Sequence, residues 1–208
     1  LQLHFSPMLC SLLLLVFLGC QFCTSTPVQA FPPEYQTFSG SLYASCRMRP
    51  NTQLTPGSPK VYGQVLFKQS GPEGKLSIRF KLHGLPASDP QPRAIHIHQY
   101  GDLSQGCTST GGHYNPLGYN HPNHPGDFGN FTPRNGKIRR SVDSRATLFG
   151  GLSVLGRAVV IHEKEDDLGR GGDAGSLLHG NAGGRLACCV IGLSSSDHLK
   201  YNWQNYAI

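Results

Sequence analysis

Polar and apolar residues in this chain trade places every second position over short runs, and helical spacing is scarce. The segment "LSIRFKLHGL" (76–85) alternates most clearly. With the apolar, β-branched "VYGQVLFKQ" (61–69) before it, across the turn sequence "SGPEG", it predicts a hairpin. Further strands are predicted at "RAIHIHQY", "GKIRRSV", "GRAVVIHE" and "RLACCVIGL". One short strand, around Tyr43 to Met48, is expected inside an otherwise irregular arm rich in Pro, Ser and Thr (31–60). Gly and Pro at the joins predict an all-β fold, an antiparallel sandwich or flattened Greek-key β-barrel of short strands. Two long segments, 101–130 and 163–184, lack a strand pattern. Loops of that length inside a compact domain usually carry function.

Length and composition narrow the picture. A chain of 208 residues suits one domain with a real core. The first 30 residues contain no Lys, Arg, Asp or Glu, and their apolar run "CSLLLLVFLGC" is too short to span a bilayer comfortably. It suits the hydrophobic part of a secretory signal, with cleavage expected between Cys20 and Ala30, so the protein is expected outside the cell with no transmembrane segment. Residues 61–193 then hold the rest of the domain and 194–208 a tail. The formal charge of +6 lies entirely after residue 30 and favours anionic partners. Beyond the signal four cysteines remain, Cys46, Cys107, Cys188 and Cys189. An even number without CxxC spacing, in an oxidising compartment, reads as a disulfide framework. Joining adjacent Cys188 and Cys189 would strain the strand, which leaves two frameworks.

The histidines bring the chemistry. His96 and His98 stand two apart on a predicted strand, so both rings leave one face. Alone, an H-x-H of this kind reads as polar alternation. His162 ends an apolar strand beside the second long loop. The first loop, "HYNPLGYNHPNHPGDFGNF", places His113, His121, His124 and Asp127 on a backbone stiffened by Pro116, Pro122 and Pro125. Three imidazoles and a carboxylate suit tetrahedral zinc, although the segment by itself also fits a polar surface loop. His96, His98 and His162 offer nitrogens that suit copper. His113 lies between the groups and has two ring nitrogens with which to serve both.

The segments "AIHIHQYGDLSQGCTSTGGHYNP", "HPGDFGN", "GRAVVIHEKEDDLGRGG" and "GNAGGRLACCVIG" resemble, in order, the copper/zinc superoxide dismutases, and among them the secreted branch. The resemblance implies an eight-stranded Greek-key barrel that dismutes superoxide outside the cell. It implies copper on His96, His98, His113 and His162, and zinc on His113, His121, His124 and Asp127. His113 would bridge the two ions as imidazolate and regain a proton when copper is reduced. Arg185 matches the arginine beside copper that docks the anion. Asp166 matches the aspartate that orients one histidine of each ion, here His96 and His121. Cys107 and Cys188 match the pair that ties the metal loop to the last strand, and by motif position Cys46 is left to Cys189.

Departures from the family pattern matter too. The stretch from His113 to Asp127 is shorter than in cytosolic relatives. Ala174, Gly175 and Leu178 stand where those relatives carry two glutamates and a lysine, and His179 replaces a threonine near the channel. The basic residues Arg134, Lys137, Arg139, Arg140 and Arg145 alternate across a strand, with Arg140 opposite Lys137 and Arg139. The final "SSSDHLKYNWQNYAI" has one lysine. Heparin or matrix binding is therefore expected to be weak or absent, with no nucleic-acid partner and a homodimeric assembly. A copper-delivery or matrix-binding protein on the same domain is the alternative. Delivery proteins would lose a ligand or Arg185, and none is missing here. The sequon at Asn130, followed by Pro133 and close to Asp127, predicts low glycan occupancy.

Overall fold

The computed structural model describes residues 38–196. The predicted signal and the tail beyond residue 196 lie outside the described residues. Ten strands follow in order: β1 Ser41–Pro50, β2 Tyr62–Ser70, β3 Leu76–His83, β4 Arg93–His98, β5 Ser104–Cys107, β6 Asp127–Phe131, β7 Lys137–Ser144, β8 Ala158–His162, β9 Arg185–Val190 and β10 Gly192–Leu193. A short helix, α1 (Ala174–His179), interrupts the second long loop. Among the described residues no helix is long and apolar enough to cross a membrane.

Eight strands pair antiparallel along the path β6-β4-β8-β9-β1-β2-β3-β7, and β10 adds to β1. The path nearly closes. Side chains bridge the gap: Ser144 at the end of β7 donates to the Pro125 carbonyl just before β6 at 2.9 Å, and Phe80 on the next strand, β3, meets Phe128 and Phe131 of β6 at ring distances of 5.6 and 4.9 Å. Around this ring the chain passes over β7 and β6 between β3 and β4, then over β6 and β4 between β7 and β8. Those two crossings make the barrel a Greek key.

Burial shows which wall matters. On β3 only alternate residues are buried, Leu76, Ile78, Phe80 and Leu82, because its outer face meets solvent. On β4 and β8 every residue is buried. Ile95, Ile97, Val159 and Ile161 point into the core, while His96, His98 and His162 leave the other face under the two long loops. The vicinal cysteines follow the same rule. Cys189 turns inward and bonds to Cys46, whereas Cys188 joins Val160 and Cys107 in a small cluster outside and bonds to Cys107.

Two expectations change and one holds. The short arm strand is ten residues long and integral to the barrel, paired with β2 along eight positions and with β9 at Arg49 and Pro50. Strand β6 lies in the segment read as patternless loop; Asp127, Gly129 and a side partly covered throughout hide its alternation. Arg140 shares inward parity with Ile138 yet is exposed like Lys137 and Arg139, since β7 ends the hydrogen-bonded path.

Because Phe80 fills the seam where no ladder bonds close the ring, Phe80→Ala should destabilise the fold by about 3–5 kcal/mol. Denaturant titration should show a lower midpoint with little change in slope. An unchanged midpoint would mean that Phe128 and Phe131 close the seam alone.

Candidate metal centre

Strand pairing brings the histidines together. His96 and His98 leave β4 on one face, and a single bridge sets His113 opposite His98. Backbone bonds from Gln99 to Gly112 (2.8 Å) and from Tyr114 to Ile97 (2.8 Å) fix that placement. On the other side β8 lies against β4 and delivers His162, two residues beyond the Val160 that faces His96. The first loop then folds back over His113 with His121, His124 and Asp127, ending at Gly126. There a side chain would meet Ile97 Cβ at 2.4 Å, so only glycine fits.

Two ligand sets result. Nitrogens of His96, His98, His113 and His162 all lie within 4.8 Å of one another, as do ligand atoms of His113, His121, His124 and Asp127. A third group, His96, His121 and Asp166, connects them. One oxygen of Asp166 lies 2.8 Å from His96 Nε2 and the other 2.7 Å from His121 Nε2. Backbone carbonyls accept from the outward nitrogens of other rings: Gly111 from His98 Nδ1 at 2.9 Å, Gly183 from His162 Nδ1 at 3.4 Å, and Tyr119 from His124 Nε2 at 2.9 Å.

What remains faces inward. His98 Nε2 and His162 Nε2 approach to 3.2 Å. His96 Nδ1, His113 Nε2, His121 Nδ1 and His124 Nδ1 are buried without a hydrogen-bond partner. The last two lie 2.9 and 3.0 Å from Asp127 Oδ2, and His113 Nδ1 lies 3.0 Å from Oδ1. Buried lone pairs aimed at one another are unfavourable unless a cation sits among them. The donor sets fit two metal ions, with His113 offering one nitrogen to each.

At the four-histidine set, charge agrees with this reading. Burial, reinforced by mutual repulsion, pushes His98 and His162 well below the usual histidine range and holds them neutral, the form that ligates. Burial also lowers His113 to about 4, against the pull of Asp127. For His121 burial works downward too, but Asp127 and Asp166 outweigh it and raise the ring to about 9. Burial opposes the charge on Asp127, yet its three histidine partners hold it well below the carboxylate range.

Beside the four-histidine set a cavity of about 580 Å³ opens to solvent, lined by His98, His113, His162, His179 and Arg185 among others. Arg185 faces His162 across the β8/β9 ladder, at a register shift. Its guanidinium donates from Nη1 to the Cys107 carbonyl at 2.7 Å and to Thr110 Oγ1 at 3.0 Å. Asn51 braces both ends, donating to the Arg185 carbonyl at 3.0 Å and accepting from the Cys107 N–H at 2.9 Å. Asn51 and Thr110 carry no sequence signal for this role.

Residues 61–191 match the family model described as copper/zinc superoxide dismutase (SODC). The chain belongs to this family. It is 54% identical over 158 residues to the extracellular superoxide dismutase [Cu-Zn] of Rattus norvegicus, covering 75% of this chain and 65% of that protein. To the protein of the same name from Homo sapiens it is 54% identical over 156 residues, 74% of this chain and 65% of that one. Superoxide dismutase [Cu-Zn] A of Xenopus laevis is 44% identical over 143 residues, 65% of this chain and 92% of its own. The match thus spans slightly under two thirds of the rat and human extracellular proteins.

The shifts predict a pH profile for protein stripped of metal by a chelator. A raised His121 stabilises the fold fully below its unfolded value near 6.5 and loses that contribution as pH climbs towards about 9. Lowered His98, His113 and His162 act oppositely, losing theirs as pH falls below 6.5. Calorimetry should place maximal stability of the stripped protein near about pH 6.5, with zinc flattening the alkaline limb. A stripped protein that keeps gaining stability up to about pH 9 would contradict this charge assignment.

Proposed function

We propose that this chain catalyses the dismutation of superoxide outside the cell: two superoxide anions and two protons give oxygen and hydrogen peroxide. The observation that carries the reading is His113, which belongs to both sets: its Nδ1 lies 3.0 Å from Asp127 Oδ1, and its Nε2 is buried without a partner and is left for the set beside Arg185. Copper would be held by His96, His98, His113 and His162, a nitrogen set that suits it. Zinc would be held by His113, His121, His124 and Asp127, three nitrogens and an oxygen. Copper, when bound, supplies a one-electron couple that superoxide can both reduce and reoxidise.

The chain's own residues do the rest. Arg185, anchored through Cys107 and Thr110, holds a fixed positive charge at the cavity wall and docks the small anion beside His162. His113 lines the same cavity, and its buried, unpartnered Nε2 is the atom at which a proton can be held between turnovers. Asp166 locks His96 and His121 so that neither ring turns its ligating nitrogen away. The formal charge of +6 draws an anionic substrate towards the protein.

Two disulfides suit the oxidising compartment that export would supply. A homodimer fits the exposed Tyr100 and Val190, of which Tyr100 precedes Gly101 in the chain and Val190 lies against it. Matrix binding is read as weak or absent, because the basic residues of β7 occupy an open strand surface.

Metal analysis and a dismutation assay on the same purified sample test the proposal. His162→Ala should abolish turnover and copper content while zinc and the fold persist. Asp127→Ala should empty zinc and lower the melting temperature. Substantial activity in the first variant, or unchanged zinc in the second, would show that the ligand sets are misassigned. Arg185→Glu should slow the reaction by on the order of tenfold or more and reverse its dependence on ionic strength. If wild-type and variant rates respond alike to salt, Arg185 does not dock the anion.

A further inference from the structure

Asn130 closes β6 with its amide turned towards the second loop. Its Oδ1 accepts the Asp166 N–H at 2.7 Å, and its Nδ2 donates to the Asp166 carbonyl at 2.8 Å. One side chain therefore grips both backbone groups of the residue whose carboxylate joins His96 to His121. Asp166 presents its N–H and C=O to the same side. The Nδ2 hydrogen in use must therefore be the one on the Oδ1 side of the amide.

The same asparagine begins Asn130-Phe131-Thr132, the only Asn-x-Ser/Thr in this sequence. Oligosaccharyl transfer to it would form a bond from Nδ2 to the sugar C1 and break the C1–oxygen bond of a lipid diphosphate donor. The diphosphate leaves as an anion and the amide gives up one proton. The product is a secondary amide, which strongly prefers the trans arrangement. That arrangement sets the sugar on the Oδ1 side, where the clamping hydrogen stood. Glycan and clamp exclude each other.

Folding also hides the site. Asn130 pairs with Ala94 and Phe131 with Arg93 in the barrel ladder, and Phe131 packs against Phe80. We propose that Asn130 is an N-glycosylation site open only before the barrel closes. A glycan there then marks a chain whose Asp166 cannot be clamped between the two metal sites. Pro133, just after the sequon, slows transfer further and tilts the competition towards folding.

The test expresses the full chain behind a secretory leader in animal cells, so that it does not depend on the export reading. Wild type and Thr132→Ala, which removes the sequon but keeps Asn130, are compared with and without a membrane-permeant thiol reductant that delays both disulfides. A glycosidase that converts glycosylated Asn to Asp, followed by peptide mass mapping, reads occupancy in retained and secreted chains. Secreted wild type should be unmodified at Asn130 and contain zinc. Reductant should raise occupancy several-fold in wild type and not at all in Thr132→Ala, and any glycosylated fraction should lack zinc. A glycan on zinc-containing secreted protein, or none after delayed folding, overturns the proposal. Both readouts are independent of dismutation, so zinc-loaded but inactive protein would count against the proposed function alone.

Discussion

A single buried carboxylate ties the structure together. Asp166 spans His96 and His121 at 2.8 and 2.7 Å, and these rings belong to different ligand sets on different parts of the chain. If Asp166 shifts, both rings are released. Strand β6 and the second loop both work to hold it. Asn130 grips its backbone, Leu168 donates to Oδ1 at 2.7 Å, and Gly180 passes so close that a Cβ there would meet Oδ1 at 2.0 Å and His121 Nε2 at 2.6 Å. Gly180 also takes the left-handed conformation that ends α1. That one position is thus constrained twice, by backbone angle and by contact.

The barrel contributes rigidity where the loops cannot. His96, His98 and His162 stand on two central strands whose opposite faces are packed core. Their Cα positions are fixed by ladder bonds on both sides, while loop carbonyls fix the rotation of the His98 and His162 rings and Asp166 that of His96. The first loop is anchored in turn by the second, through the His121 N–H to the Leu177 carbonyl at 2.9 Å. Function therefore sits on the outside of a closed wall. Strands buried on both faces are the structural mark of that arrangement.

Much of this was legible in the sequence, for physical reasons that differ by element. Strand β3 declared itself through clean alternation, because one of its faces is wet. The candidate ligands were less legible: the H-x-H of β4 and the His/Asp loop each also fit a polar surface, and the resemblance to the family joined them into the groups that strand pairing brings together. Strand β6 did not declare itself, because both its faces are partly covered and its composition is loop-like. The length of β1 was hidden by Pro50 and the polar residues that follow it. Asn51, Thr110 and the clamp of Asn130 act through one or two hydrogen bonds each to groups far away in sequence. Such partners are brought together only by tertiary pairing and leave no periodic trace.

Arg185 shows how the two halves of the site come to act as one. Its side chain would be a mobile surface cation if β9 alone held it. The Cys107–Cys188 bond fixes the loop that carries its acceptors to the same strand, and Asn51 on the neighbouring chain segment bonds to both Arg185 and Cys107. The guanidinium is therefore positioned by a closed circuit of one covalent and several hydrogen-bonded links around the cavity rim. Where Ala174, Gly175 and Leu178 leave the second loop without charges at these positions, a fixed cation beside His162 becomes the main local source of attraction for an anion. Fixing its place costs little further entropy, because the disulfide and the ladder have already ordered the segments that hold it.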